Sequence, residues 1–253
     1  MKKQRILLKI GSNTLTRETD QLSRGKVEDI GRQVAQLRDS HEFIIVSSGA
    51  IAAAKQFVKL EHNGPDITVK QALAAIGQPH LMRIFQENFR ELGLLTSQCL
   101  LSYSDFENPA SKENIRNTIN VLVANNFIPI INENDTVATD EIQFGDNDKL
   151  AALTASLLQA DLLMIATNTD GIYYKASLET QRPETIEEIL GTADIAGEIG
   201  SSKSSHGTGG MQSKIEAAAI AGKAGIETWV VNGLRDNFIL DALQNASKYT
   251  KIK

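Results

Sequence analysis

Six short apolar runs, separated by stretches with helical patterning, constrain this chain more than any other feature of its sequence. Residues 6–10 (ILLKI), 42–47 (EFIIVS), 96–101 (TSQCLL), 127–131 (FIPII), 162–167 (LLMIAT) and 227–231 (ETWVV) read as strands. Most are nearly continuous in apolar residues, as strands covered on both faces must be. Between them, apolar side chains recur at helical spacing, as in Val27, Ile30, Val34 and Leu37, and again in Leu150, Leu153, Leu157 and Leu158. Residues 69–92 also suit a helix, with a break predicted near Gly77-Gln78-Pro79, because proline disfavours helix in the residue before it. Strand and helix in alternation predict an α/β fold, a mainly parallel sheet with helices on both faces.

Composition narrows the function. The 253 residues carry 26 Lys and Arg against 31 Asp and Glu, a net charge of −5, which argues against a nucleic-acid binder. The opening MKKQRILLKI resembles the start of a signal peptide, but Lys9 interrupts its apolar run. No stretch approaches the ~20 apolar residues of a membrane span. The single cysteine, Cys99, has no partner for an internal disulfide and is expected as a small buried residue in a strand. A cytoplasmic protein built on one core is the expectation.

Ligands of open α/β sheets bind beyond the carboxyl ends of the strands. Those positions hold Gly11-Ser12-Asn13, Ser48-Gly49-Ala50, Asn132-Glu133-Asn134-Asp135 and Thr167-Asn168-Thr169-Asp170. Gly145-Asp146-Asn147-Asp148-Lys149 and Gly207-Thr208-Gly209-Gly210-Met211-Gln212-Ser213-Lys214 each open a predicted helix. Glycines at such turns let backbone N–H groups approach an anion, and a helix start adds unpaired donors. Residues 136–144 alternate like a hairpin, and 200–210 form a Gly/Ser loop expected to be mobile and containing His206. The P-loop pattern, the dinucleotide fingerprint and the G-x-S-x-G elbow do not occur, and His41, His62, His80 and His206 lack metal-ligand spacing.

Lys9 falls near the end of a strand that reads as buried, where an unpaired charge is costly, unless it is an edge lysine reaching solvent. Lys214 falls in the first turn of a helix, where a cation opposes the dipole and gains from a nearby anion. Asp148 either holds one of these lysines or serves its own helix as a first-turn acid. Glycine-lined anion sites, two lysines and an acidic cluster point to phosphoryl transfer, which needs positioning and charge neutralisation more than a general base. An acceptor carboxylate, with a reference pKa of about 4, would already be ionised.

Five segments carry a resemblance to a known family: KIGSNTLT (9–16), SSGAIAAA (47–54), INENDTVAT (131–139), FGDNDKLAA (144–152) and GTGGMQSKIEAA (207–218). In this order they resemble the amino acid kinase family, within it the branch that phosphorylates the side-chain carboxylate of L-glutamate at the start of proline biosynthesis. The resemblance implies a three-layer αβα sandwich over residues 1–253. Its glutamate-binding part would be mainly 1–160 and its ATP-binding part mainly 161–253. Lys9 and Lys214 would neutralise the transferred phosphoryl group, Asp148 would orient both, and Gly11 and Gly49 would donate N–H groups to phosphates. Ser48, Asp135 and Asn147 would bind glutamate, Asp135 through the α-ammonium, with Asn132 and Asn134 shaping the pocket. Thr167, Asn168 and Thr208, Gly209, Gly210, Met211, Gln212, Ser213 and Lys214 would hold ATP, with Mg²⁺ bridging its phosphates and no protein ligand assigned to the metal.

The resemblance also implies a homodimer or homotetramer without a nucleic-acid or membrane partner, and proline as a feedback competitor at the glutamate site. Two departures stand out. Asn168 replaces the Asp common in relatives, and about twenty residues follow Gly233, where many relatives carry a PUA domain. Two alternatives stay open: a kinase of the same fold acting on acetylglutamate, carbamate, aspartate or a nucleoside monophosphate, and a non-catalytic sensor.

Overall fold

The computed structural model describes residues 2–17, 19, 21–61, 66–138, 147–191 and 210–253. Its centre is an eight-stranded sheet. Six strands are the predicted ones: β1 (Gln4–Ile10), β2 (His41–Ser47), β3 (Leu95–Leu101), β4 (Phe127–Glu133), β5 (Leu162–Thr167) and β7 (Glu227–Asn232). Two short strands, β6 (Glu188–Ile189) and β8 (Thr250–Ile252), complete one edge. The order is β3-β4-β2-β1-β5-β7-β8-β6, parallel throughout except where β8 runs antiparallel to β7.

The helices are α1 (Ser12–Thr16), α2 (Arg24–Leu37), α3 (Ala50–Lys55), α4 (Asp66–Glu91), α5 (Pro109–Ala124), α6 (Asp148–Leu158), α7 (Met211–Lys223) and α8 (Phe238–Leu243). Strand side chains alternate between faces. On one face Ile6, Leu8 and Ile10 pack with Val27, Ile30, Phe85, Phe89 and Phe238, under α2, α3, α4 and α8. On the other, Leu7 packs with Ile119, Leu150, Ala151, Ala217 and Ala221, under α5, α6 and α7. This is the expected three-layer αβα arrangement. Lys9 shares the phase of Leu7, so it faces the α6 and α7 layer. The chain leaves β1 toward β2 on one side and β5 toward β7 on the other, so the topological switch lies between β1 and β5, where a ligand crevice forms.

Two expectations are corrected. Helix α4 runs unbroken through Pro79. A proline inside a helix costs about 3 kcal/mol, but Leu73, Leu81, Phe85 and Phe89 on both sides of it are buried against the core, and that packing outweighs the local penalty. Gly77 makes the docking possible, since a Cβ there would come within 1.8 Å of the Ala50 carbonyl oxygen. Cys99 lies on the edge strand β3 and is only half-buried, because one side of an edge strand has no neighbour; partial burial still pushes its thiol pKa up. Among the described residues, no helix is long and apolar enough to cross a membrane.

Candidate active site

Three elements converge on one carboxylate at the carboxyl edge of the sheet. Asp148 opens α6 and is fully buried. Its Oδ1 lies 2.7 Å from Lys9 Nζ at the end of β1, and its Oδ2 accepts a hydrogen bond from Lys214 Nζ of α7 at 2.9 Å. Ser213 Oγ donates to the same Oδ2 at 3.0 Å. Both lysines are nearly fully buried, and β1 is a central strand, which removes the solvent-reaching alternative for Lys9. Buried charges persist only when paired and hydrogen-bonded. Asp148 is at once the first-turn acid of α6, favoured by the helix dipole, and the counter-ion of two lysines from distant parts of the chain. Gly11 completes the corner: a Cβ there would stand 3.6 Å from Lys9 Nζ and 3.9 Å from the Ala166 carbonyl oxygen. The space above the ammonium is thus kept clear of side chain.

A second group lies beside β2 and β4. Asn147 Nδ2 donates to the Ser47 carbonyl (2.9 Å), to Ser48 Oγ (3.2 Å) and to Asn132 Oδ1 (2.8 Å). Gly49 follows with φ of +104°, a conformation that side chains resist, and opens α3. Asn134 is anchored by its backbone N–H to the Leu101 carbonyl at 2.8 Å. Asp135 is half-buried, and desolvation, followed by the nearby charge of Glu133, pushes its carboxyl up to about 6. Such a carboxylate regains its charge when a cation settles beside it.

Among the predicted nucleotide residues, Thr167 ends β5 and its carbonyl accepts from Gly233 N–H at 2.8 Å. Asn168 Oδ1 lies 3.5 Å from Thr167 Oγ1. Gly210 caps α7 in extended conformation, and its carbonyl oxygen lies 2.8 Å from Ser213 Oγ, sharing that hydroxyl's single proton with Asp148. The Met211 side chain packs in a cluster with Ile172, Ile215 and Val230. Gln212 Nε2 donates to Glu216 on the exposed side of α7. Thr208 and Gly209 lie outside the described residues, as do Gly145, Asp146, His62, His206, Gly207, residues 139–144 and the loop up to 209.

Two groups are given no role by the sequence reading. Gln78, in mid-α4, accepts from Asn132 Nδ2 at 2.8 Å. Beyond β5 and β7, Asp170 accepts from Asn232 Nδ2 at 2.7 Å and pairs with Arg235 at 2.6 Å. The second could have been sought among the polar residues after the last predicted strand. The first sits inside a helix, where no local pattern marks it. Among the described residues, no three His, Cys, Asp or Glu side chains gather as a metal site.

Known proteins resemble this chain in sequence and in fold. Glutamate 5-kinase of Neisseria gonorrhoeae (strain NCCP11945) is 39% identical over 249 residues, covering 97% of this chain and 84% of that protein. Glutamate 5-kinase of Thermoanaerobacter sp. (strain X514) is 41% identical over 246 residues, covering 96% of this chain and 66% of that protein. The structure of carbamate kinase from Giardia lamblia bound to AMP-PNP superposes with a TM-score of 0.68 at 15% identity, covering 99% of this chain and 98% of that one, a likeness of fold. Residues 4–232 match the sequence model of the amino acid kinase family, and with relatives this similar along nearly its whole length the chain belongs to that family.

Proposed function

We propose that this chain transfers the γ-phosphoryl group of ATP to the side-chain carboxylate of L-glutamate, giving glutamyl 5-phosphate and ADP, the first step of proline biosynthesis. The observation that carries the proposal is the buried bridge Lys9–Asp148–Lys214, with contacts of 2.7 and 2.9 Å, in a chain 39% identical to a glutamate 5-kinase. A carboxylate oxygen of glutamate forms a bond to the γ-phosphorus as the bond from that phosphorus to the ADP oxygen breaks. The acceptor, with a reference pKa of about 4.3, is already ionised at neutral pH, so no residue needs to remove a proton. Charge spread over the phosphoryl oxygens in flight is what two oriented ammonium groups stabilise. Asp148 holds both ammonium groups, and the backbone N–H groups at Gly11 and Gly49 serve the phosphates.

Asp135 pairs with the α-ammonium, and Ser48, Asn132, Asn134 and Asn147 line the glutamate pocket. ATP is held by Thr167, Asn168 and residues 208–214. Ammonium, amide and hydroxyl groups suit phosphate oxygens, so Mg²⁺ enters on the nucleotide. Mg²⁺ carried by the nucleotide would supply charge neutralisation at the phosphates, which Lys9, Lys214 and the backbone N–H groups would supplement. On this division residues 1–160 serve mainly glutamate and 161–253 mainly ATP.

An ADP-release assay with ATP, Mg²⁺ and a panel of glutamate, N-acetylglutamate, aspartate, carbamate and UMP tests the assignment. Turnover is expected with glutamate; turnover of another acceptor in its place sinks the assignment. We further propose that the enzyme works in the cytoplasm as a homodimer or homotetramer, which sedimentation velocity tests. Proline is proposed to compete for the acidic glutamate pocket; a proline titration that leaves the apparent glutamate KM unchanged removes that proposal.

A further inference from the structure

Three buried side-chain amides form a directed hydrogen-bond chain beside the glutamate pocket. A carboxamide has one donating and one accepting end, so its direction is fixed only by a neighbour with a single role. Two backbone groups supply that here. The Ser47 carbonyl can only accept, and it takes a hydrogen bond from Asn147 Nδ2 at 2.9 Å. The Glu133 N–H can only donate, and it gives one to Asn132 Oδ1 at 2.9 Å. Between these anchors Asn147 Nδ2 donates to Asn132 Oδ1, and Asn132 Nδ2 donates to Gln78 Oε1, each at 2.8 Å.

The direction leaves two atoms over. Asn147 Oδ1 and Gln78 Nε2 are buried and have no hydrogen-bond partner among the described residues. An orphaned buried acceptor needs a donor. L-Glutamate offers its donors on the ammonium alone, since both carboxylates only accept. The ammonium is therefore the one part of the substrate able to satisfy Asn147 Oδ1.

We propose that Gln78 is a positioning residue for amino-acid selectivity. By accepting from Asn132 Nδ2 it holds Asn132, and through it Asn147, in the position where the backbone-fixed direction of the chain presents the carbonyl oxygen of Asn147 to the substrate ammonium. Helix α4 delivers Gln78 to this point because Gly77 beside it lets the helix approach the Ala50 carbonyl. The proposal rests on glutamate as substrate.

The test uses the full chain with Gln78→Met, which keeps the side-chain length but has no strong acceptor, and Gln78→Glu, which keeps the acceptor oxygen. The readouts are glutamate kinetics and the inhibition constant of glutarate, the same dicarboxylate without the ammonium. Gln78→Met is expected to raise the glutamate KM about tenfold or more. It is expected to leave kcat, the ATP KM and the glutarate Ki within about threefold of wild type. Gln78→Glu is expected to recover most of the glutamate KM, and Gln78→Met added to Asn132→Leu is expected to cost nothing beyond Asn132→Leu alone. Equal weakening of glutamate and glutarate, an unmoved glutamate KM, or an additive double variant overturns the proposal while the wild type still turns over glutamate. A wild type that neither binds nor phosphorylates glutamate overturns the substrate assignment and the proposal with it. Should Gln78→Met not fold, a Gln78→Glu variant with the selectivity loss expected of Gln78→Met overturns the proposal, and one with near wild-type selectivity supports it.

Discussion

Two buried lysine–aspartate clusters lie on opposite faces of the sheet, and they differ in what they join. On the α2 face, Lys26 Nζ reaches Asp29 Oδ2 (3.2 Å), the Arg235 carbonyl (2.8 Å) and Asp236 Oδ1 (3.2 Å). Asp29 also takes the N–H of Asn237 and a hydrogen bond from Gln33, whose Oε1 in turn accepts from Ile239 N–H at 2.7 Å. Lys26, Asp29 and Gln33 come from one helix, and their remaining partners are mainly backbone groups at the start of α8. This cluster is a staple: it satisfies itself and ties α2 to the segment after β7. The Lys9–Asp148–Lys214 cluster joins a strand end and two helix starts at the carboxyl edge of the sheet, beside a glycine. Burial of an ion pair does not mark a site by itself. Convergence from separate elements on an edge that can admit a ligand does.

The largest expected effect tests the staple. Lys26→Met removes one member of a buried network and is expected to cost about 3–5 kcal/mol in a urea unfolding titration. In the folded fraction, kcat is expected to stay within about threefold of wild type. A large fall in kcat with little loss of stability would reverse the roles given to the two clusters. The proposed catalytic cluster is tested by Lys9→Ala and Lys214→Ala. Each is expected to lower kcat by about 10²–10³-fold, about 3–4 kcal/mol of transition-state stabilisation, and to change the glutamate KM far less. Near-normal kcat in either variant removes that lysine from the phosphoryl site.

The difference between the clusters also explains what was legible in the sequence. Lys9, Asp148 and Lys214 could be picked out because strand ends and helix starts are readable from local patterning, and ligands collect there. Lys26, Asp29 and Gln33 at spacings of three and four read as an ordinary solvated helix face, and they are buried only because residues more than 200 positions away fold over them. Gln78 was hidden for the same reason: its partner Asn132 lies 54 residues away. Most of the six long strands were legible as buried apolar runs, whereas the edge strand β3 is mostly exposed or half-buried. β6 and β8, of two and three residues, are too short to show a period. At Pro79 the local rule gave the wrong answer because it says nothing of the tertiary packing on either side.

A smaller effect is expected from pH. The Asp135 carboxyl, pushed up to about 6 by desolvation and then by Glu133, belongs to neither cluster. The sign follows from the upward shift. The folded protein favours the neutral form, so Asp135 lowers stability progressively as pH rises from the ordinary carboxylate range to about 6, the reverse of a salt-bridged acid. On the proposed pairing with the substrate ammonium, glutamate binding needs the ionised form. kcat/KM for glutamate is therefore expected to fall about tenfold per pH unit below about 6, and Asp135→Asn is expected to abolish that limb. Calorimetry in buffers of different ionisation enthalpy should also detect protons released on binding near pH 6. An acid limb that persists in Asp135→Asn assigns the titration elsewhere.

The smallest effect marks the limit of the staple. Arg17 pairs with Asp236 at its rim, and both side chains are largely exposed. The Asp236 carboxyl is held below its usual range first by the hydrogen bond from Lys26, with Arg17 contributing less. Losing Arg17 therefore leaves Asp236 with its main partner, and an exposed pair in water is worth about 0–1 kcal/mol. Arg17→Ala is expected to cost less than about 1 kcal/mol in the titration used for Lys26→Met, with most of that removed by high salt. Because Asp236 is lowered, the stability it contributes is present above the ordinary carboxylate pKa and lost as pH falls through its folded value. That acid-side loss should survive Arg17→Ala and shrink in Lys26→Met. A cost above about 2 kcal/mol for Arg17→Ala would mean that the rim shares the energetics of the buried centre, and the staple would then extend to the surface.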